Sequence, residues 1–188
     1  MREELDKKLC EKYPKIFAGR NGDVHETAMC WGFEHGDGWY DLIDVLCANI
    51  QHHINRRTEE RELAVRFNVM KKDIENDNWG LFDQTYNNPE GAHRESYIKR
   101  IREAKEQEIK DLVPQVVAVQ VKEKFGSLRF YYDGGDEYIR ALVNFAESMS
   151  GRICEKCGSP GKTRGGGWVR TLCDEHEEEY QNQHREFE

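Results

Sequence analysis

No stretch of this chain approaches the run of about twenty apolar residues that a bilayer-crossing helix needs. The opening Met1-Arg-Glu-Glu-Leu-Asp-Lys-Lys is charged and helical in character, with no apolar signal core. Together these absences lead us to expect a cytosolic protein without a membrane partner. Positive charge is also short: 28 Lys and Arg against 36 Asp and Glu leave a net charge of −8, which argues against wholesale attraction to a phosphate backbone. Internal repeats and low-complexity tracts are lacking. Hydrophobic residues make up 37% and charged residues 34% of the 188 positions, so the core is modest and the surface heavily solvated. Cysteine is sparse, six in all, and no secretory segment favours its oxidation.

Four of the residues in one short stretch nevertheless point to a single chemistry. Cys154 and Cys157 stand two residues apart, Cys173 and His176 repeat the interval, and fifteen residues separate the pairs. Three thiolates and an imidazole suit one tetrahedral Zn²⁺, and a two-residue gap lets both members of a pair reach the same ion. Gly158 tolerates the turn after the second ligand, Trp168–Leu172 has strand character, and a polar run from Cys173 reads as helix. A knuckle, a hairpin and a helix carrying the last ligands describe a treble-clef-like finger. Four protein donors leave no open position, so the zinc is expected to be structural. Free thiols or a disulfide are the bland alternative, and His184 or Asp174 can replace His176 as fourth ligand.

Charge is unevenly spread: residues 151–170 carry +4, residues 171–188 carry −6, and the first 150 carry −6. The loop Ser159-Pro-Gly-Lys-Thr-Arg-Gly-Gly-Gly-Trp joins the two half-sites. Its glycines permit close backbone approach, Lys162, Arg164 and Arg170 supply positive charge, and Trp168 offers a stacking face, a combination suited to an anionic nucleotide or an acidic protein surface. It is not a P-loop. A plain finger hairpin with Trp168 packed beneath it is the simpler reading.

The rest of the chain reads as an α+β domain over residues 1–150, with the finger at 151–188. We expect a helix from Arg2 to about Phe17, a strand at Thr27–Phe33, and Asp37 capping the helix of Trp39, Leu42, Ile43, Leu46, Ile50 and Ile54. Thr58–Ile74 is a second helical pattern, either a separate helix or a continuation of the first with a bend. Residues 76–93 read as a mobile loop and Arg94–Leu112 as an exposed helix closed by Pro114. Val116–Tyr132 alternates as a β-hairpin, with Val117, Val119 and Val121 inward; paired with the Thr27 strand it makes a small antiparallel sheet of about three strands. A helix after Gly134-Gly135-Asp136 leads into the finger.

Other constellations are weaker. His25, His35, the His52-His53 pair, Asp37, Asp41 and Asp44 evoke a hydrolytic metal site, but Asp41 and Asp44 also fit the polar side of a helix near its start. Cys30 with His25 or His35 lacks an oxyanion turn and an orienting residue; Cys10, Cys30 and Cys47 fall beside apolar stripes as small core residues. In Phe130-Tyr131-Tyr132 only Tyr131 is left outward to stack a base. No catalytic residues are assigned, and a non-enzymatic protein is expected.

The motifs Cys30-Trp-Gly-Phe-Glu, Gly36-Asp-Gly-Trp-Tyr, Val121-Lys-Glu-Lys-Phe-Gly-Ser-Leu-Arg-Phe-Tyr-Tyr, Cys154-Glu-Lys-Cys-Gly-Ser-Pro-Gly and Gly165-Gly-Gly-Trp span nearly the whole chain. In these it resembles a group of small uncharacterised proteins encoded by tailed phages and prophages. The resemblance implies a viral accessory protein acting in a bacterial cytoplasm on a host component, such as an anti-phage defence protein or its nucleotide signal. A nucleic-acid-binding regulator using Lys162, Arg164, Trp168 and Arg170 is the alternative.

Overall fold

The computed structural model describes residues 1–25, 27–165 and 168–185, the side chains of His184 and Arg185 excepted. The chain forms two compact units, Met1–Ile54 with Val113–Glu188, and Asn55–Leu112, so the division does not fall at residue 150. Among the described residues no helix is long and apolar enough to cross a membrane. The class is α+β as expected, with four strands in two separate antiparallel pairs.

In the first unit, α1 (Glu3–Lys12) is shorter than anticipated and buries Leu9. Asp6, also buried, accepts from Arg20 Nε at 3.0 Å, tying α1 to the turn that follows it. The expected strand at Thr27–Phe33 is instead a 3₁₀ turn, Ala28–Trp31, capped by Thr27 Oγ1, which accepts from Met29 N. Alternation misleads here: Met29 and Phe33 are buried, yet Trp31 on the supposed same face is 71% exposed. The local cap outcompetes the ladder. Glu34 makes the backbone bridge to the hairpin, through Glu34 N to Val121 O at 3.1 Å and Glu123 N to Glu34 O at 2.9 Å, and Thr27 Oγ1 donates to Val119 O at 3.3 Å.

The hairpin pairs β1 (Val117–Lys124) with β2 (Ser127–Asp133). Its register shifts between Ala118 and Gln120. One extra residue in a strand reverses which side chains face the core, so the inward set is Val116, Ala118 and Val121 and not Val117, Val119 and Val121. α5 (Glu137–Ser150) starts where expected, Asp136 Oδ1 accepting from Ile139 N at 3.0 Å. It buries Ile139, Val143 and Ala146, and finishes the β2 edge: Ser150 Oγ accepts from Leu128 N and Glu147 Oε1 from Phe130 N. Side-chain acceptors thus occupy donors that an open strand edge leaves bare.

α2 (Tyr40–Glu75) is one helix of 36 residues, so the two helical patterns are continuous. Its first turns belong to the first unit, where Ile43, Leu46, Cys47 and Ile50 join Trp39 in the core. The remainder belongs to the second unit, which is helical. Residues 76–93 are not an aperiodic loop: Trp79, Phe82 and Tyr86 recur at three and four residues, and α3 (Gly80–Tyr86) buries Phe82 with Met70, Ile74 and Ile101. Positive φ at Asn87, Asn88 and Gly91 separates it from α4 (Gly91–Glu103), whose Arg94 guanidinium lies 5.1 Å from the Trp79 and Phe82 ring centroids. α4 stops nine residues before Leu112. Beyond it the backbone bonds to α2 side chains, Gln107 N to Asn68 Oδ1 at 2.8 Å and Arg61 Nη1 to Lys110 O at 2.6 Å, in place of helical partners.

His35 is a buried imidazole of the first unit, packed between Phe33 and Trp39. Its Nδ1 lies 2.7 Å from Gly36 O, while Nε2 has no partner. Burial pulls its pKa from 6.5 to about 4. The unfolded chain therefore binds this proton more readily than the folded one, and stability falls as pH drops from 6.5 towards 4. Denaturant melts across that window should show a loss of about 3 kcal/mol in the parent that His35→Asn does not share; parallel curves for parent and variant would refute it.

Candidate metal centre

The finger begins where α5 ends. Gly161 N donates to Arg152 O and Cys154 N to Ser159 O, each at 2.8 Å, folding 152–161 back on itself. Gly158, at φ +79°, makes the reversal after Cys157, and its N–H donates to Cys154 O. β3 (Lys162–Arg164) and β4 (Arg170–Leu172) form the short hairpin, and α6 (Asp174–Arg185) opens immediately after Cys173 with His176 in its first turn. Knuckle, hairpin and helix thus follow in the anticipated order.

That path brings the four anticipated ligands together. Their donor atoms all lie within 4.8 Å of one another, and among the described residues this is the group of three or more such side chains able to hold a metal ion. Cys154 Sγ is 3.6 Å and Cys173 Sγ 3.1 Å from His176 Nδ1, and Cys157 Sγ is 3.8 Å from Cys173 Sγ. All six cysteines are free thiols, so a disulfide does not account for the cluster. His176 fills the fourth place; Asp174 turns away to Lys162 and Arg164, and the His184 side chain lies outside the described residues.

The electrostatics favour bound thiolates. Hydrogen bonds from the Ser159 side chain and backbone lower Cys157 from 9.0 to about 6. Burial pushes Cys154 up, against backbone N–H groups of Cys173, Cys157 and Lys156 that are directed at its sulfur. Glu179 Oε2 stands 3.9 Å from His176 Nε2, the outer position from which a carboxylate orients a ligating imidazole.

The sequence did not reveal what the knuckle rests on. Gly36-Asp-Gly-Trp runs along it: Gly38 N donates to Glu155 O at 2.7 Å, Gly36 N to Glu155 Oε1 at 2.9 Å, and Trp39 Nε1 to Ile153 O at 2.9 Å. A Cβ on Gly38 would stand 2.1 Å from Cys154 O. The two glycines flanking Asp37 were the available sign. Asp37 is not the cap of α2, since its carboxylate accepts from Arg2 N and Nε. The β1–β2 tip meets the finger as well, Thr171 Oγ1 donating to Gly126 O.

The basic loop is less available than its composition suggests. Lys162 Nζ lies 3.2 Å from Asp174 Oδ1, Arg164 bonds to the same carboxylate, and the Arg170 guanidinium sits 3.2 Å from the Tyr180 ring centroid. Trp168 is not packed beneath the hairpin but 68% exposed. Gly166 and Gly167 lie outside the described residues. The other candidates are dispersed: Asp44 receives Lys12 and Tyr13, His53 pairs with Asp136 at 2.8 Å, and Cys30 Sγ donates to Thr27 O. Cys47 is buried, whereas Cys10 and Cys30 are half-buried.

No family model, curated protein or solved structure matches this chain. The geometry of the docked knuckle predicts that Gly38→Ala, with an added methyl that meets backbone on both sides, costs on the order of 3 kcal/mol and loosens metal retention in a chelator challenge. A parent-like melt and parent-like metal loss would disprove the docking.

Proposed function

We propose that this is a non-enzymatic, zinc-stabilised phage accessory protein that binds and neutralises a host component, an anti-phage defence protein or its nucleotide signal. The observation that carries the reading is the closed donor set, three sulfurs and one imidazole nitrogen within 4.8 Å. At metal–ligand distances of about 2.3 Å to sulfur and 2.0 Å to nitrogen, tetrahedral donors stand roughly 3.5–3.8 Å apart; the Cys154–His176 and Cys157–Cys173 separations of 3.6 and 3.8 Å match this, and the Cys173–His176 separation of 3.1 Å is closer. Thiolate-rich four-coordinate sites suit zinc above harder divalent ions. With every position filled by protein, the ion braces the fold and activates no water. Targeting of the host follows from the resemblance to phage and prophage proteins.

The nucleic-acid-binding alternative uses Lys162, Arg164 and Arg170 on phosphates. Asp174 already stands where a phosphate would sit between Lys162 and Arg164, and Arg170 covers Tyr180. A strand binder nonetheless has a clear signature, a steep fall of affinity with salt.

Elemental analysis should find one zinc per chain. Cys154→Ser and Cys173→Ser should lose it and unfold the finger, because metal-binding energy is folding energy in a segment with so little core; full metal content in either variant would refute the ligand assignment. Affinity purification from bacterial lysate should recover a stoichiometric host protein whose defence activity falls when the purified chain is added, or a nucleotide that raises the chain's melting temperature. If neither emerges, the host-neutralising reading fails.

A further inference from the structure

We propose that Phe125 and Trp168 are the two jaws of a site for the base of a small free nucleotide, with Lys124 as counter-charge to its phosphate. The proposal deepens the binding reading above and rests on it only in taking the protein to act by binding.

The β1–β2 tip carries the argument. Phe125 has φ +53° and Gly126 φ +75°, the pattern of a hairpin turn in which both central residues are left-handed. Asn or Gly adopts that conformation at little cost, whereas a bulky aromatic residue is strained there. The ring gains no burial in return, since Phe125 is 72% exposed. A turn-forming sequence has no use for phenylalanine at this position, and strain of this kind collects at binding sites.

Across from it stands Trp168, also exposed, and the space between them is a cleft of about 390 Å³ lined by Glu123, Lys124, Phe125, Trp168 and Val169. Both walls are anchored. Gly126 O accepts from Thr171, and the Gly126 backbone lies so close to the finger that an added Cβ would stand 3.2 Å from Val169 Cγ1. The jaws therefore belong to two backbones held at fixed spacing, the preorganisation a stacking site needs.

The rim decides the ligand's charge. Glu123 is half-buried, with Oε1 accepting from Gly126 N at 2.6 Å, whereas Lys124 is exposed and lies 5.6 Å from the Phe125 centroid. With Lys124 as the exposed charge of the rim and Glu123 turned into the turn backbone, a flat anion is favoured over a lysine or arginine of a partner protein. A single nucleotide is favoured over a strand, because a strand needs a cationic track along its backbone. Lys162, Arg164 and Arg170 are engaged with Asp174 and Tyr180, and the chain carries −8 overall.

The test is calorimetric titration of the zinc-loaded full chain with cyclic di-AMP, adenosine and a short oligo(dT). Stacking tolerates any base, so adenine ligands decide the matter. Cyclic di-AMP should bind saturably, and Trp168→Ala and Phe125→Asn should each weaken it about tenfold or more. Lys124→Ala should weaken cyclic di-AMP and leave adenosine unchanged. Phe125→Asn should also raise the melting temperature, because asparagine relieves the turn; a lowered one would make Phe125 a packing residue and overturn the proposal. So would no binding at millimolar cyclic di-AMP, unchanged affinity in both aromatic variants, or tighter, salt-sensitive binding of oligo(dT). Host-protein capture by a parent chain that binds no nucleotide sinks the cleft alone, while nucleotide binding without any effect on host defence sinks the host-neutralising reading alone.

Discussion

Four donor atoms converge on one point in a segment that has almost nothing else to hold it. Among the described residues from 151 onward, Cys154, Thr171 and Leu172 are buried, and the two strands are three residues each. Side-chain burial of that size offsets only a few residues' worth of ordering entropy, at roughly 1–2 kcal/mol per residue. An ion bound by the four donors would supply what the missing core does not. The same demand explains the docking surface. Glu155 and Ile153 carry carbonyl groups that a free finger would leave to water; Gly38 N and Trp39 Nε1 take them up. Metal and docking are coupled, because the carbonyl of a ligand residue is also the closest neighbour of Gly38.

That coupling explains which parts of the molecule were legible in the sequence. The ligands were, because Cys-x₂-Cys and Cys-x₂-His express a geometry set by one ion and little else. The helix of Trp39 to Ile54 was, because its apolar stripe is wide and its neighbours are helix formers. Asp136 was legible as the start of α5 because a capping side chain acts on its own next turn. Features decided by distant residues were not. The Thr27–Phe33 stretch alternates like a strand, but Thr27 caps its own turn and Gly32, at φ +80°, takes the chain out of line. The bulge near Val119 is invisible to a period-two count, which it shifts by one.

The second unit shows a different failure. Its aromatic residues Trp79, Phe82 and Tyr86 sit in a stretch rich in Asn, Asp and Gly, whose loop-like composition masks their helical spacing. The structure follows the spacing: Tyr86 and Tyr97 stack with centroids 4.6 Å apart, and Arg94 covers Trp79 and Phe82 while pairing with Asp83. Turn-forming residues mark the ends of these short helices and say nothing against their interiors. Conversely, the charged stretch after Glu103 looked helical and is extended, because Asn68 and Arg61 of α2 bond its backbone more directly than a further helical turn would.

Charge patterning carries the subtlest lesson. A +4 segment followed by a −6 segment invites the idea of a basic patch awaiting an anion. The fold turns the two on each other: Lys156 faces Glu179 at 3.9 Å, Lys162 and Arg164 share Asp174, and Arg170 lies on the Tyr180 ring. Exposed ion pairs contribute little stability singly, but they set which surface remains to meet a ligand. Once the finger's cations are matched by its own helix, what stays unmatched beside it is aromatic: Phe125 on a strained hairpin tip and Trp168 opposite. Recognition here is therefore better sought in π-faces with one lysine at the rim than in a field of positive charge.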